Sequence, residues 1–143
     1  LTGLRKSDIQ KLTWGEVQKF GKYTRIVFKQ RKTKGQEYLD ISSQAEKYLG
    51  ERGNPDDIVF TGFTYGSWTS LELQRWSLAA GVNKNLTFHC ARHTFAVLML
   101  DLGADIYTVS KLLGHRFLTT TQIYAKVLDK NKQNAVSLIP DIG

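Results

Sequence analysis

His89 and Arg92 stand three residues apart, Leu113-Gly114-His115 follows downstream, and Tyr124 comes after it. Two imidazoles, a guanidinium and a phenol in one stretch of a basic chain are groups with which a phosphodiester can be broken and rejoined without a metal. A guanidinium clamps phosphate oxygens through paired hydrogen bonds. An imidazole moves a proton near neutral pH, and a phenol can serve as a covalent nucleophile. Each residue also has an ordinary reading taken singly. Arg92 can be a solvated cation, His89 a satisfied histidine, His115 a helix C-terminal cap and Tyr124 a partly buried aromatic.

Positioning these groups falls mainly to helices. The clearest runs from Phe88 to Leu102, where Phe88, Ala91, Phe95, Leu98 and Leu102 recur at helical spacing and Gly103 closes the run. His89 and Arg92 share a face of it, beside that apolar stripe, while His93 turns away from Arg92 and reads as supporting structure. Asp105 is placed to cap a further helix reaching Leu113, with Gly114 at its end. Thr119 starts the short helix expected to carry Tyr124. Thr69 to Ala80 reads as a helix stopped by Gly81, with Leu73, Trp76 and Ala80 on its apolar side. Near the start, Ser7 followed by Gln10 fits a capping box, with Ile9 and Leu12 behind it.

One small sheet is expected as well. Tyr23 to Gln30 and Gln36 to Ile41 alternate apolar and polar residues around Arg31-Lys32-Thr33-Lys34-Gly35, a β-hairpin with a basic tip. Ser43 to Gly50 looks helical, and Gly53-Asn54-Pro55-Asp56 is a loop. The fold class is therefore mainly α with a small antiparallel β-sheet, and residues 1–143 read as a single domain with no internal repeat. The chain opens at Leu1-Thr2-Gly3 without a methionine, which points to a segment of something longer.

Composition narrows the partners. With 20 Lys+Arg against 13 Asp+Glu the formal charge is +7, and nucleic acid is the leading candidate for what meets it. The apolar fraction of 41% suits a soluble globular domain, and no apolar run is long enough for a membrane span. No signal peptide is visible. Cys90 stands alone, so no internal disulfide forms, and a reducing compartment fits. His89, Cys90, His93 and His115 are all potential zinc ligands. No glutamate accompanies the histidine pair, and Cys90 between them reads as a small packed hydrophobe, so no metal is expected.

Three further features join the cluster: Arg5 ahead of the first helix, Lys32 at the hairpin tip, and the order of the whole set. TGLRKSDIQKLTW, TFHCARHTFA and LLGHRFLTTTQIYA resemble, in order and separation, the three boxes of the tyrosine recombinase/integrase family over nearly the whole chain. The resemblance implies that family's catalytic-domain fold, with the domain's first helices and a separate N-terminal DNA-clamping domain lying outside this chain. It implies that Arg5 and Arg92 hold the non-bridging oxygens of a scissile phosphate. Tyr124 would attack phosphorus to give a 3′-phosphotyrosyl link, and Lys32 would protonate the leaving 5′ oxygen, with Lys34 the next choice. His89 would assist proton transfer, and His115 would hydrogen-bond the phosphate or position its neighbours.

The same resemblance implies a double-stranded DNA substrate, a homotetramer on paired sites, possible accessory DNA-bending proteins, and a cytoplasmic, nucleoid-associated bacterial enzyme needing neither cofactor nor ATP. The segment from Lys126 to Gly143, with Val136, Leu138 and Ile139, would dock on a neighbouring subunit. The boxes look most like integrases of phages and mobile elements, including conjugative transposons of the Bacteroides type. Alternatives are a chromosome-dimer resolvase, a type IB topoisomerase (disfavoured by the last box), and a DNA-binding module that has lost catalysis.

Overall fold

The computed structural model describes residues 1–29 and 35–127 together with Val136 and Pro140. In chain order it holds α1 (Lys6–Ile9), a 3-10 turn (Trp14–Glu16), β1 (Val17–Phe20), β2 (Tyr23–Lys29), β3 (Gln36–Ile41) and α2 (Ser43–Glu46). There follow α3 (Ser67–Ala79), α4 (Phe88–Asp101), α5 (Ile106–Leu112) and two 3-10 segments, Leu118–Thr120 and Gln122–Val127. This is the expected mixture of helices and one small antiparallel sheet. The chain divides into two compact units, Leu1–Arg92 and His93–Gly143.

The first unit is built on the sheet, in the order β1-β2-β3. The two runs read as a hairpin are β2 and β3, paired antiparallel from Thr24 opposite Ile41 to Lys29 opposite Gln36. A strand that sequence reasoning missed, β1, pairs on the other side, Val17 opposite Ile26. Its single buried side chain is Val17, so it carries no alternating signal to read. Period-2 alternation puts Ile26, Phe28, Leu39 and Ile41 inside with Leu12, Trp14 and Ala45. On the other side of the pleat Arg25 forks onto Asp40 at 2.6 and 2.8 Å, between the rings of Phe20 and Tyr38.

The first helix does not start as the capping box suggested. Arg5 is its N-cap, in extended conformation, and its carbonyl accepts from the N–H groups of Asp8 and Ile9, which leaves Ser7 inside the helix. A reciprocal bond of the capping-box kind lies one turn on, where the Glu16 carboxylate accepts from the Thr13 N–H. Trp76 and Ala80, expected on the apolar side of α3, are exposed, and the residue that helix buries is Ser77.

The second unit packs around α4, but not by the stripe read from the sequence. Ala96 and Leu100 are wholly buried, whereas Leu98 and Leu102 are 49% and 72% exposed. From Phe95 to Leu100 every residue is apolar, so periodicity offers more than one candidate face and cannot choose between them. Val109, Leu113 and Tyr124 complete this core, with Phe95, Met99, Ala104 and Ile106 against it. Asp105 caps α5 as expected, accepting from the Thr108 N–H at 2.9 Å. Tyr124 sits in a 3-10 segment rather than an α-helix.

Two expectations fall wholly or largely outside the described residues. Lys32 and Lys34 both lie there, and the β2–β3 arms are seen only as far as Lys29 and Gln36. Of the proposed docking tail, Leu138 and Ile139 lie there too, while Val136 is exposed.

Candidate active site

Arg5, His89 and Arg92 come together on one cavity of the first unit, of about 440 Å³. The route is local at each end. Gly3 adopts φ 67, a left-handed conformation open to glycine without a Cβ penalty. The chain then leads through buried Leu4 into the extended Arg5 cap. Arg92 Nη1 donates to the Gly3 carbonyl at 2.6 Å, so one box is tied to another through the backbone. Arg92 is only 5% exposed. A cation at that depth needs hydrogen-bonded partners, and the Gly3 carbonyl is one of them. His89, one turn earlier on α4, is exposed.

The same cavity has two lining residues that sequence reasoning missed, Lys6 and Tyr65. Tyr65 reaches α4 from the loop before α3, and its hydroxyl accepts from the Phe88 N–H at 3.0 Å. Its ring meets Phe88 edge-on, and Lys6 Nζ lies 4.8 Å from its centroid. The Ser70 hydrogen bond, and then that from Phe88, hold its phenol below the ordinary tyrosine value. Nothing in the spacing of Tyr65 marks it, because its partner is a backbone group more than twenty residues away.

Cys90 also differs from expectation. It is not a packed hydrophobe: it is half-exposed, and its Sγ accepts from the Thr87 N–H at 3.4 Å. At the third position of α4 it thus takes the place of the Glu or Gln of a capping box. The hydroxyl and then the backbone of Thr87 hold its thiol below the usual cysteine value.

His115 and Tyr124 belong to the second unit. His115 follows a Schellman ending of α5, in which Gly114 at φ 59 donates to the Lys111 carbonyl and His115 N–H to that of Ser110. That ending turns the chain out of the helix at the histidine. The ring is then held by Thr121, whose Oγ1 lies 2.8 Å from Nδ1 and whose side chain is wholly buried. Tyr124 is 8% exposed, its ring packed with Ala96, Leu100, Val109 and Leu113. Its hydroxyl lies 2.5 Å from His93 Nδ1, with the two rings 5.5 Å apart and edge-on. His93, read from the sequence as supporting structure, is therefore a hydrogen-bond partner of the phenol.

The Phage integrase family matches residues 1–131. The chain is 33% identical over 140 residues to tyrosine recombinase XerD of Oceanobacillus iheyensis, covering 88% of this chain and 46% of that protein. It is 34% identical over 134 residues to tyrosine recombinase XerC of Actinobacillus pleuropneumoniae, covering 86% and 43%. The chain thus spans about half the length of the curated relatives it matches. Among solved structures, the XerA recombinase superposes with a TM-score of 0.72 at 24% identity, over 94% of this chain and 54% of that one. The catalytic domain of bacteriophage HP1 integrase does so with 0.65 at 26% identity, over 97% and 76%. With a family match over nearly all of its length and the family's boxes in order, this chain belongs to the phage integrase family of tyrosine recombinases.

Proposed function

We propose that residues 1–143 act as the catalytic domain of a site-specific DNA recombinase, one that cleaves and rejoins strands through a 3′-phosphotyrosyl intermediate without metal or ATP. The observation that carries this reading is the convergence of Arg5, His89 and Arg92, distant in sequence, on one cavity. Two guanidiniums there hold the non-bridging oxygens of the scissile phosphate and stabilise the charge that grows on them in the pentacoordinate transition state. Fixed cations are worth most in such a partly enclosed place. Tyr124 attacks phosphorus; its oxygen forms the new bond as the 5′ oxygen leaves and takes a proton from Lys32, or from Lys34 if the hairpin offers that one instead. His89 assists proton movement beside the phosphate. His115, held by Thr121, hydrogen-bonds the phosphate or positions its neighbours. The phosphotyrosine conserves the energy of the broken bond, so rejoining needs no other source.

The substrate is double-stranded DNA, which the +7 charge attracts over its phosphates. Two structural neighbours are complexes of the XerH site-specific recombinase with its difH substrate. By analogy this protein works as a homotetramer on paired sites, with or without DNA-bending partners, at the bacterial nucleoid. Integration and excision of a mobile element is the favoured role. Resolution of chromosome dimers is the alternative, and the two part on which DNA site is recombined.

The test is a nicked suicide substrate that traps the covalent adduct. The full-length protein attaches to it, Tyr124→Phe binds DNA without attaching, and EDTA changes neither result. An adduct formed by the Phe variant refutes Tyr124 as nucleophile, and loss of cleavage on chelation refutes the metal-free mechanism.

A further inference from the structure

We infer that His93 is a catalytic residue: it orients the Tyr124 phenol and accepts its proton as the oxygen attacks phosphorus. The inference rests on Tyr124 being the nucleophile, as proposed above. Its basis is one contact within the second unit, Tyr124 Oη to His93 Nδ1 at 2.5 Å.

A tyrosine hydroxyl that attacks phosphorus must give up its hydrogen as the new bond forms. An imidazole in hydrogen-bond reach is well matched to receive it. For His93 to accept, the phenol donates to Nδ1 and the ring's own hydrogen sits on Nε2, one of the two arrangements this contact permits. In the step, the Tyr124 Oη–P bond forms, the proton passes from Oη to His93 Nδ1, and the P–O5′ bond breaks. The leaving oxygen takes its proton from the separate acid. On rejoining, the 5′ hydroxyl attacks and gives its proton back to that separate group as the P–O5′ bond re-forms, the Oη–P bond breaks, and His93 returns the proton to Oη.

Orientation is the second contribution. The Tyr124 ring is 8% exposed among Ala96, Leu100, Val109 and Leu113, which fix the plane of the ring but leave the hydroxyl hydrogen to rotate. The Nδ1 acceptor selects one direction for it, and the edge-on ring contact holds the imidazole in turn. His93 is half-buried on α4, immediately after Arg92, so the helix that supplies a phosphate-holding cation also supplies the base.

The experiment measures single-turnover adduct formation by the full-length protein on the nicked substrate, alongside DNA affinity. His93→Leu removes both roles and should slow cleavage about 10²–10⁴-fold with affinity unchanged. His93→Asn keeps an acceptor near the Nδ1 position but no base, and should fall between Leu and wild type. Both defects should persist on DNA with sulfur in place of the bridging 5′ oxygen, because a thiolate leaves without a proton and relieves only loss of the acid. Wild-type or faster cleavage by His93→Leu overturns the inference. So does rescue of the defect by the bridging sulfur, or a wild-type rate for His93→Asn even where the Leu variant does not fold. Tyr124→Phe is run in parallel: an adduct there refutes the nucleophile, whereas loss of the adduct there with normal cleavage by His93→Leu refutes only the role of His93.

Discussion

Replacing Arg92 tests whether one side chain serves both folding and the proposed chemistry. Its Nη1 donates to the Gly3 carbonyl at 2.6 Å from a position 5% exposed to solvent. Arg92→Ala leaves that carbonyl without its charged donor, which costs about 1.5–3 kcal/mol of stability for a hydrogen bond to a charged group. It also loosens the segment that leads to Arg5. The chemical loss is larger: removing one preorganised donor from a transition-state oxygen costs about 10²–10³ in rate, or about 2.7–4 kcal/mol. Arg92→Lys separates the two parts of the argument. An ammonium keeps the charge but has no planar fork, so it cannot hold the Gly3 carbonyl and the phosphate in the same fixed geometry. Cleavage is measured as single-turnover adduct formation well below the unfolding temperature of each variant, with DNA affinity and denaturant unfolding in parallel. Cleavage should fall far more than affinity in both variants. A Lys variant that cleaves at the wild-type rate would refute the need for a fork, and equal losses of cleavage and affinity would reduce Arg92 to a DNA-binding residue.

Leu100→Ala, at a wholly buried position, should lower unfolding free energy by about 2–5 kcal/mol. Leu102→Ser, just past the end of that helix and 72% exposed, should stay within about 0.5 kcal/mol of wild type; denaturant titration of both checks which apolar residues of this segment are packed. Thr121→Val keeps the shape of a buried side chain but removes the Oγ1 that holds His115. The loss of about 1–1.5 kcal/mol should slow cleavage about tenfold with DNA binding retained, and an unchanged rate would show that His115 needs no such support. The Asp105 carboxyl is held below its ordinary value, first by the Thr108 hydroxyl and then by the Thr108 N–H. A depressed folded-state value contributes stability that is present above the unfolded-state value and lost as pH falls through the folded one. Asp105→Asn should therefore flatten the acid limb of a thermal-stability profile, and an unaltered limb would remove Asp105 from that account.

Legibility followed the range of the interactions. The β2–β3 hairpin, the Asp105 cap and the endings at Gly81 and Gly114 were readable because each is settled within a few residues, by alternation, a capping oxygen or a left-handed turn. Arg5, His89 and Arg92 were readable because their types and order resemble a family pattern, and the fold then put all three on one cavity. β1 was not, since only one of its side chains is buried. Ser7 misled because a capping pattern shows that a backbone N–H could be satisfied, not that the helix begins there.

By itself the sequence determined the inventory: the groups able to hold and attack a phosphate, their order, the mixed fold class and the basic charge. Only the tertiary structure decided which partner each group has. Arg92 donates to the backbone of Gly3, Tyr65 accepts from the start of α4, Thr121 holds His115, and His93 meets the Tyr124 phenol. The same structure chose the buried side of α4, a helix apolar on too many sides for its periodicity to decide. The reason is common to all of these. A hydrogen bond to a backbone group or to a ring on another element leaves no periodic trace along the chain, and exists only once folding has brought its ends within about 3 Å.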